Sequence, residues 1–377
     1  MLQPASSTLS LRDSADSTHQ ESAPAHLWYN DFRNTAEILH VGVVVVNAVR
    51  SYTFAATKGV LMVKAQQHMS PHCTSRRDFL KLTSVAIAVG SGAGALASLR
   101  PGQAGAGPKK KVVVAAHPWV YAAPLPEYDI TPVLEQVFSD MSYAGIEAIE
   151  LMHEALRHAD SVERIGALSD KYRLPVLGAS FGADLWDRSK HAAIMDYAET
   201  IITRIQQLRG RTLGTSVGKA PQKKTPEQLD AQAEILGKII AVGNEHGIVL
   251  NLHNHTYEVE NNEYDLNGTL ARIPNAKLGP DLNWLVRAGV DPVDFIRRHS
   301  AHVVFMHLRD QKADGAWPEA MGEGITDYAA VGKELHKMGY AGDMAIELAH
   351  ERNFARTRPL RDSLKMSREY VRRTMGY

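Results

Sequence analysis

From Lys109 onward, short runs of Val, Ile, Leu and Ala alternate with longer amphipathic segments, eight times over. This alternation favours parallel strands joined by crossover helices, because an apolar run can be buried on both faces only if helices cover it. Strands are expected at 112–116, 148–151, 176–180, 212–217, 248–252, 276–281, 303–308 and 344–348. Helices are expected at 131–143, 155–172, 189–208 and 225–246, with shorter ones at 265–272, 291–299 and 328–338 and a last one at 358–373. Thr225 reads as the N-cap of its helix, with Pro226 in the first turn. Three helices run into the same joint, in YAGIEAIEL, EHGIVLNL and KMGYAGDMAIEL. A glycine there ends the helix in the left-handed conformation, and an apolar strand follows. Eight such units over about 270 residues fit a (β/α)8 TIM barrel, typically ~250 residues long. A doubly wound open sheet is the alternative, but no G-x-G-x-x-G follows the first strand, so its best support is missing.

Lys+Arg and Asp+Glu are both 42, so no basic excess points to nucleic acid or to a membrane surface. The single cysteine, Cys73, excludes an intrachain disulfide and a cysteine-based zinc site. Any metal chemistry therefore falls to Asp, Glu and the 17 histidines.

In a barrel of this kind, functional groups gather where the strands end at the C-terminal mouth. The first strand runs into His117-Pro118-Trp119, the second carries Glu150 with His153 nearby, the third ends at Ser180 and the fourth near Ser216. Strands five to eight end in His253, Asp281, His307 and Glu347. Neighbouring strands lie ~4.8 Å apart, so these four groups can converge on one ion. Buried charges need such a partner. Imidazole and carboxylate without thiolate suit Mn²⁺, Zn²⁺, Co²⁺ or Fe²⁺ better than Ca²⁺. Side chains alternate along a strand, so His253 and His255 point the same way and Asn254 the other. His255 then stands one step nearer a substrate, and Glu258 is expected to orient a histidine. His117, Trp119, Ser180 and Arg309 are candidate substrate contacts. Trp119 can equally be lid packing, and Arg309 is expected more often to pair with Asp310 or Glu323.

These motifs resemble the xylose-isomerase-like barrel superfamily, the sugar phosphate isomerase/epimerase group, from about Lys111 to the end of the chain. LNLHNHTYEVE is similar to a subgroup pattern in which strand 5 ends H-N-H, followed by an acidic residue. PDLNWLVRAGVDP, VVFMHLRD, MGEG and MAIEL resemble segments that follow it in that subgroup. The resemblance implies a divalent metal held by His253, Asp281, His307 and Glu347, and a small carbohydrate substrate. Ketose epimerases of the superfamily carry a glutamate at the end of strand 5, which binds the metal and shuttles protons with the strand-8 glutamate. His253 stands at that place here, which sets the symmetric two-glutamate mechanism aside. It leaves Glu150 as a source of the missing carboxylate, either as ligand or as acid/base.

The chemistry implied is proton transfer beside a carbonyl, with the metal as Lewis acid and Glu150, His255 or Glu347 as the proton-transfer group. Returning the proton elsewhere makes the protein a sugar isomerase or epimerase. Losing a β-substituent instead makes it a lyase or dehydratase of a keto-sugar, keto-glycoside or inosose. A metal-dependent endonuclease would need further ligands and a basic surface, against the neutral charge balance. A non-catalytic sugar-binding barrel would not need the full ligand set. A homo-oligomer is compatible with all of these.

Residues 69–106 read as a twin-arginine export signal. Arg76-Arg77 is followed by Phe79-Leu80-Lys81, a small-residue apolar stretch and Ala104-Gly105-Ala106 as cleavage site. The stretch is short and glycine-rich against the ~20 apolar residues of a membrane span. The barrel, 107–377, is therefore expected in the periplasm or secreted, with the twin-arginine translocase as a transient partner and no span left after cleavage. Residues 1–68 are expected to be a disordered extension, or to precede the true start at Met62 or Met69. N-terminal sequencing of the native precursor should begin at one of those methionines; peptides from residues 1–60 would overturn that start.

Overall fold

A computed structural model describes residues 111–351 and 354–377. The export signal and the extension before it lie outside these residues. Eight parallel strands form one sheet: β1 Val114–His117, β2 Ile149–Met152, β3 Val176–Gly182, β4 Thr212–Ser216, β5 Val249–Leu252, β6 Lys277–Leu278, β7 His307–Leu308 and β8 Met344–Glu347. Their order is β6-β5-β4-β3-β2-β1-β8-β7, and bridges Leu278–Val303 and Asp281–His307 join the two ends. The fold is a (β/α)8 barrel, and the open-sheet alternative is excluded by that closure. β6 and β7 are shorter than the sequence suggests. Pro280 has no N–H to give the ladder, so the seam is carried by single bonds such as His307 N–H to Pro280 O at 2.9 Å.

The helices follow from local chemistry. The helix Pro226–Glu245 opens on a capping box in which Thr225 and Gln228 satisfy each other's backbone N–H. Gly145, Gly247 and Gly339 adopt φ of 72°, 71° and 67° at the three joints read from sequence. Two helical segments differ from expectation. The turn beginning at Thr256 breaks at Glu260 and passes through left-handed Asn261, Asn262 and Glu263 before the helix resumes. Arg298 and His299 hold the Glu263 carboxylate at that break. A short helix, Leu282–Arg287, was not anticipated; Asp281 caps it. Among the described residues no helix is long and apolar enough to cross a membrane.

The loop after β7 is organised by one carboxylate. Buried Asp310 accepts backbone N–H groups from Gln311, Gly322, Gly324 and Thr326 at 2.9–3.2 Å. A Cβ on Gly324 would stand 2.2 Å from its Oδ1, so the MGEG glycine is required by close approach. Asp310→Ala, which strands these donors, should lower unfolding free energy by roughly 2–4 kcal/mol in a denaturant titration. Asp310→Asn should lie between it and the native protein, and an unchanged midpoint in both would refute the role.

Candidate metal centre

His253, Asp281 and His307 come from three adjacent strands, and one ligand atom from each lies within 4.8 Å of the others. The β5 ladder extends one residue past the strand, through His253 N–H to Thr215 O at 3.0 Å, which turns the His253 ring into the mouth. Asp281 spends Oδ1 on the N–H groups of Asn283 and Trp284, at 2.9 and 3.2 Å, leaving Oδ2 toward the centre. His307 Nε2 meets Glu150 Oε2 at 2.5 Å, which turns Nδ1 toward the same point. Buried polar atoms normally find hydrogen-bond partners. His253 Nδ1, Asp281 Oδ2 and His307 Nδ1 are buried without a well-aligned one, although Arg309 stands 3.1 Å from Asp281 and Glu347 2.8 Å from His307. Two imidazoles and a carboxylate with spare lone pairs fit a divalent transition ion, and the carboxylate behind His307 is the outer partner such a ligand usually has.

The electrostatics point the same way. Glu150, Asp281 and Glu347 are three buried carboxylates around one buried guanidinium, Arg309, which contacts Glu347 and Asp281. With His307 neutral, as a metal ligand must be, two negative charges remain, the complement of a divalent cation. Burial pulls His307 down, but Glu150 and Glu347 outweigh it and hold its pKa well above the ordinary value. Burial lifts Glu347, but Arg309, His117 and His307 keep it well below the carboxylate range. Burial drives His253 well below its ordinary value, and the neighbouring imidazoles of His307 and His255 add to this. Asp281 is raised by burial, against Arg309.

The structure brings most of the remaining candidates to this mouth, with two corrections. Glu150 is fully buried, and its Oε2 meets His307 Nε2 at 2.5 Å, which places it behind a candidate ligand rather than open at the mouth. Its carboxylate serves His307 instead. Arg309 does not pair with Asp310 or Glu323: the first is occupied by backbone donors and the second by Arg358. Arg309 itself is buried against Glu347 and Asp281. His117 donates Nε2–H to Ser180 at 2.9 Å, because its Nδ1 accepts Trp119 N–H at 3.3 Å, and Nδ1 stands 3.9 Å from Glu347. Trp119 packs on Tyr128 at the rim, with ring centroids 5.1 Å apart.

Trp284 and Trp317 were missed. Trp284 stands 5.6 Å from the His255 ring, Arg309 lies 5.3 Å from Trp284, and Trp317 meets it edge-on while donating Nε1–H to Asn283. The readable signal was Asp281 as an N-cap, since the third residue of a capped helix lies beside the capping side chain.

Residues 138–370 match the family described as xylose isomerase-like TIM barrel, and the chain belongs to that family. The rhizopine catabolism protein MocC of Rhizobium meliloti is 25% identical over 265 residues, covering 61% of this chain and 79% of that protein. The solved L-ribulose 3-epimerase has a TM-score of 0.58 at 18% identity, covering 71% of this chain and 95% of that one. D-Psicose 3-epimerase from Clostridium cellulolyticum H10, solved with D-tagatose, gives 0.57 at 12% identity over 70% and 99%. The 3-keto-D-glucoside 4-epimerase YcjR from E. coli gives 0.54 at 16% identity over 69% and 100%. At these identities the likeness to the solved structures is one of fold.

Calorimetric titration with Zn²⁺ or Mn²⁺ should find one site per chain. A proton on His307 competes with the ion, and its raised pKa keeps that proton in place near neutrality. Affinity should therefore be tighter at pH 8 than at pH 6, with proton release on binding. Glu150→Gln should weaken binding roughly 10–100-fold. Binding that ignores both pH and Glu150 would refute the assignment.

Proposed function

We propose that this member of the xylose isomerase-like TIM barrel family is a divalent-metal-dependent sugar isomerase or epimerase that moves a proton on the carbon beside a carbonyl. The observation that carries this reading is the convergence of His253, Asp281 and His307 at the mouth, flanked by His255 on one side and Glu347 on the other. An ion held by His253, Asp281, His307 and Glu347, whether Mn²⁺, Zn²⁺, Co²⁺ or Fe²⁺, would supply Lewis acidity toward a carbonyl oxygen.

The chain's own residues account for the rest. His255 belongs to the β5 end and Glu347 to β8, three strands further round the ring. A sugar at the centre thus meets an imidazole and a carboxylate from different sides. Arg309 fixes Glu347, and the Asp281 cap fixes the short helix whose Trp284 walls the site. Such fixed geometry is what proton transfer in a mouth of this kind requires. The unlike pair also favours a second reading, β-elimination, in which one group takes the α-proton and the other protonates the leaving group. The Arg76-Arg77 motif supports placing the reaction outside the cytoplasm, in the periplasm or secreted, on a small carbohydrate.

The test is solvent exchange. Protein loaded with Mn²⁺, Co²⁺ or Zn²⁺ is incubated in D₂O with ketoses, 3-keto-glycosides and inososes. Deuterium should enter the position beside the carbonyl of at least one class, and Glu347→Gln should slow that entry roughly 10²–10⁴-fold. Exchange with loss of a β-substituent selects the elimination reading; no exchange with any carbonyl sugar refutes both.

A further inference from the structure

A second polar opening lies on the flank of the barrel. It is a groove of about 610 Å³ between the helix Leu134–Tyr143 and the chain that follows β8. Gln136 and Asp140 line it from the helix, and Phe354, Arg356, Arg358 and Arg361 from the other side. None of these is a candidate metal ligand or a neighbour of one.

The three guanidiniums are not equivalent. Arg358 is spent: its Nε donates to Glu319 at 3.0 Å, its Nη1 meets Met366 Sδ at 2.9 Å, and its Nη2 donates to Glu323. Glu319 also accepts the N–H and the hydroxyl of Thr357, both at 2.5 Å. Burial raises Glu319, but Thr357 and Arg358 outweigh it and hold its pKa at about 2. That carboxylate therefore stays ionised and pins Thr357 and Arg358, which fixes the wall next to Arg356. Arg356 and Arg361 are exposed, and among the described residues neither has a carboxylate at ion-pair distance. Arg361 lies 5.0 Å over the Tyr143 ring, which holds its stem without neutralising its charge, and Lys365 stands 5.4 Å from the same ring. Asp140, the carboxylate in the lining, accepts the Tyr121 hydroxyl at 3.0 Å.

Two unmatched guanidiniums in one groove call for an anion, since each fork matches a pair of carboxylate or phosphate oxygens. The rest of the lining suits more than a bare ion. Phe354, half-buried against the His350 ring with centroids 4.7 Å apart, offers an apolar ring to the C–H face of a sugar. Gln136 offers two N–H donors and an acceptor to hydroxyl groups. We infer that this groove is a second saccharide site, separate from the metal centre, which takes an acidic sugar with its oxyanion between Arg356 and Arg361. A uronate and a sugar phosphate share the recognised chemistry, an oxyanion carried on a polyol. The site is independent of the reaction proposed for the mouth.

The test is calorimetric titration of the full chain at low salt, metal-free and with Zn²⁺, using glucuronate, glucose 6-phosphate, inorganic phosphate and glucose as probes. At least one acidic sugar should bind one site per chain with a Kd of about 1 mM or tighter, and at least about tenfold more tightly than phosphate or glucose. The tighter of the two acidic sugars identifies the oxyanion. Arg356→Ala/Arg361→Ala should weaken that binding about tenfold or more, with and without Zn²⁺ alike. Its denaturation midpoint should stay native, because both side chains are exposed and outside the ion pairs that anchor Arg358. Inorganic phosphate that binds as tightly as the acidic sugars makes the groove an adventitious anion site and overturns the saccharide assignment. Acidic-sugar binding that survives the double variant, or no binding by any acidic sugar, overturns the site itself. Deuterium exchange at the mouth, found or not, bears only on the proposed function.

Discussion

The barrel closes through two isolated bridges, and one of them joins Asp281 to His307. The site is thus built on the seam. The longest ladder elsewhere runs over five residue pairs between β3 and β4. At the seam, Pro280 breaks the pattern and side chains take over from the backbone. A cation bound there would tie β6 and β7 to β5 across the seam. The same short strands that weaken the seam free Asp281 to cap a helix with one oxygen and face the centre with the other.

Partners, rather than depth, separate the two inward glutamates. Ala116 pairs with both Ile149 and Ile346, so Glu150 and Glu347 stand one step beyond it on β2 and β8. Both reach His307, Glu150 at Nε2 and Glu347 at Nδ1. Glu347 is also held by Arg309, which Glu150 is not seen to share.

This also marks how far the sequence could be read. The period of apolar runs and the glycine joints reveal the eightfold barrel, because both are local properties of the chain. The ends of strands five to eight reveal the ligand candidates, because a charged group at a barrel strand end needs a partner. Partners are not local. Alternation says which face Glu150 takes, not which side chain it meets, and His307 lies 157 residues away in sequence. The partner of Arg309 was equally hidden: Asp310 is its neighbour in sequence, but that carboxylate is drawn into a cradle of backbone N–H groups twelve to sixteen residues away. The break at 260–263 was invisible because three consecutive left-handed residues there are held by Arg298 and His299, from a distant helix.

The imidazole at position 253 carries a consequence for the whole mouth. As a neutral ligand, His253 would take less charge from a divalent ion held there than a carboxylate would, leaving the ion the stronger Lewis acid. Under the proposed function, the proton-transfer work on that side would pass to a different kind of group, and His255 stands there, its ring 5.0 Å from that of His253. Glu347, held by Arg309, is biased toward staying ionised beside the centre. In the proposed reaction, a carboxylate fixed on β8 and an imidazole beyond β5 would divide the labour that two equivalent glutamates would share.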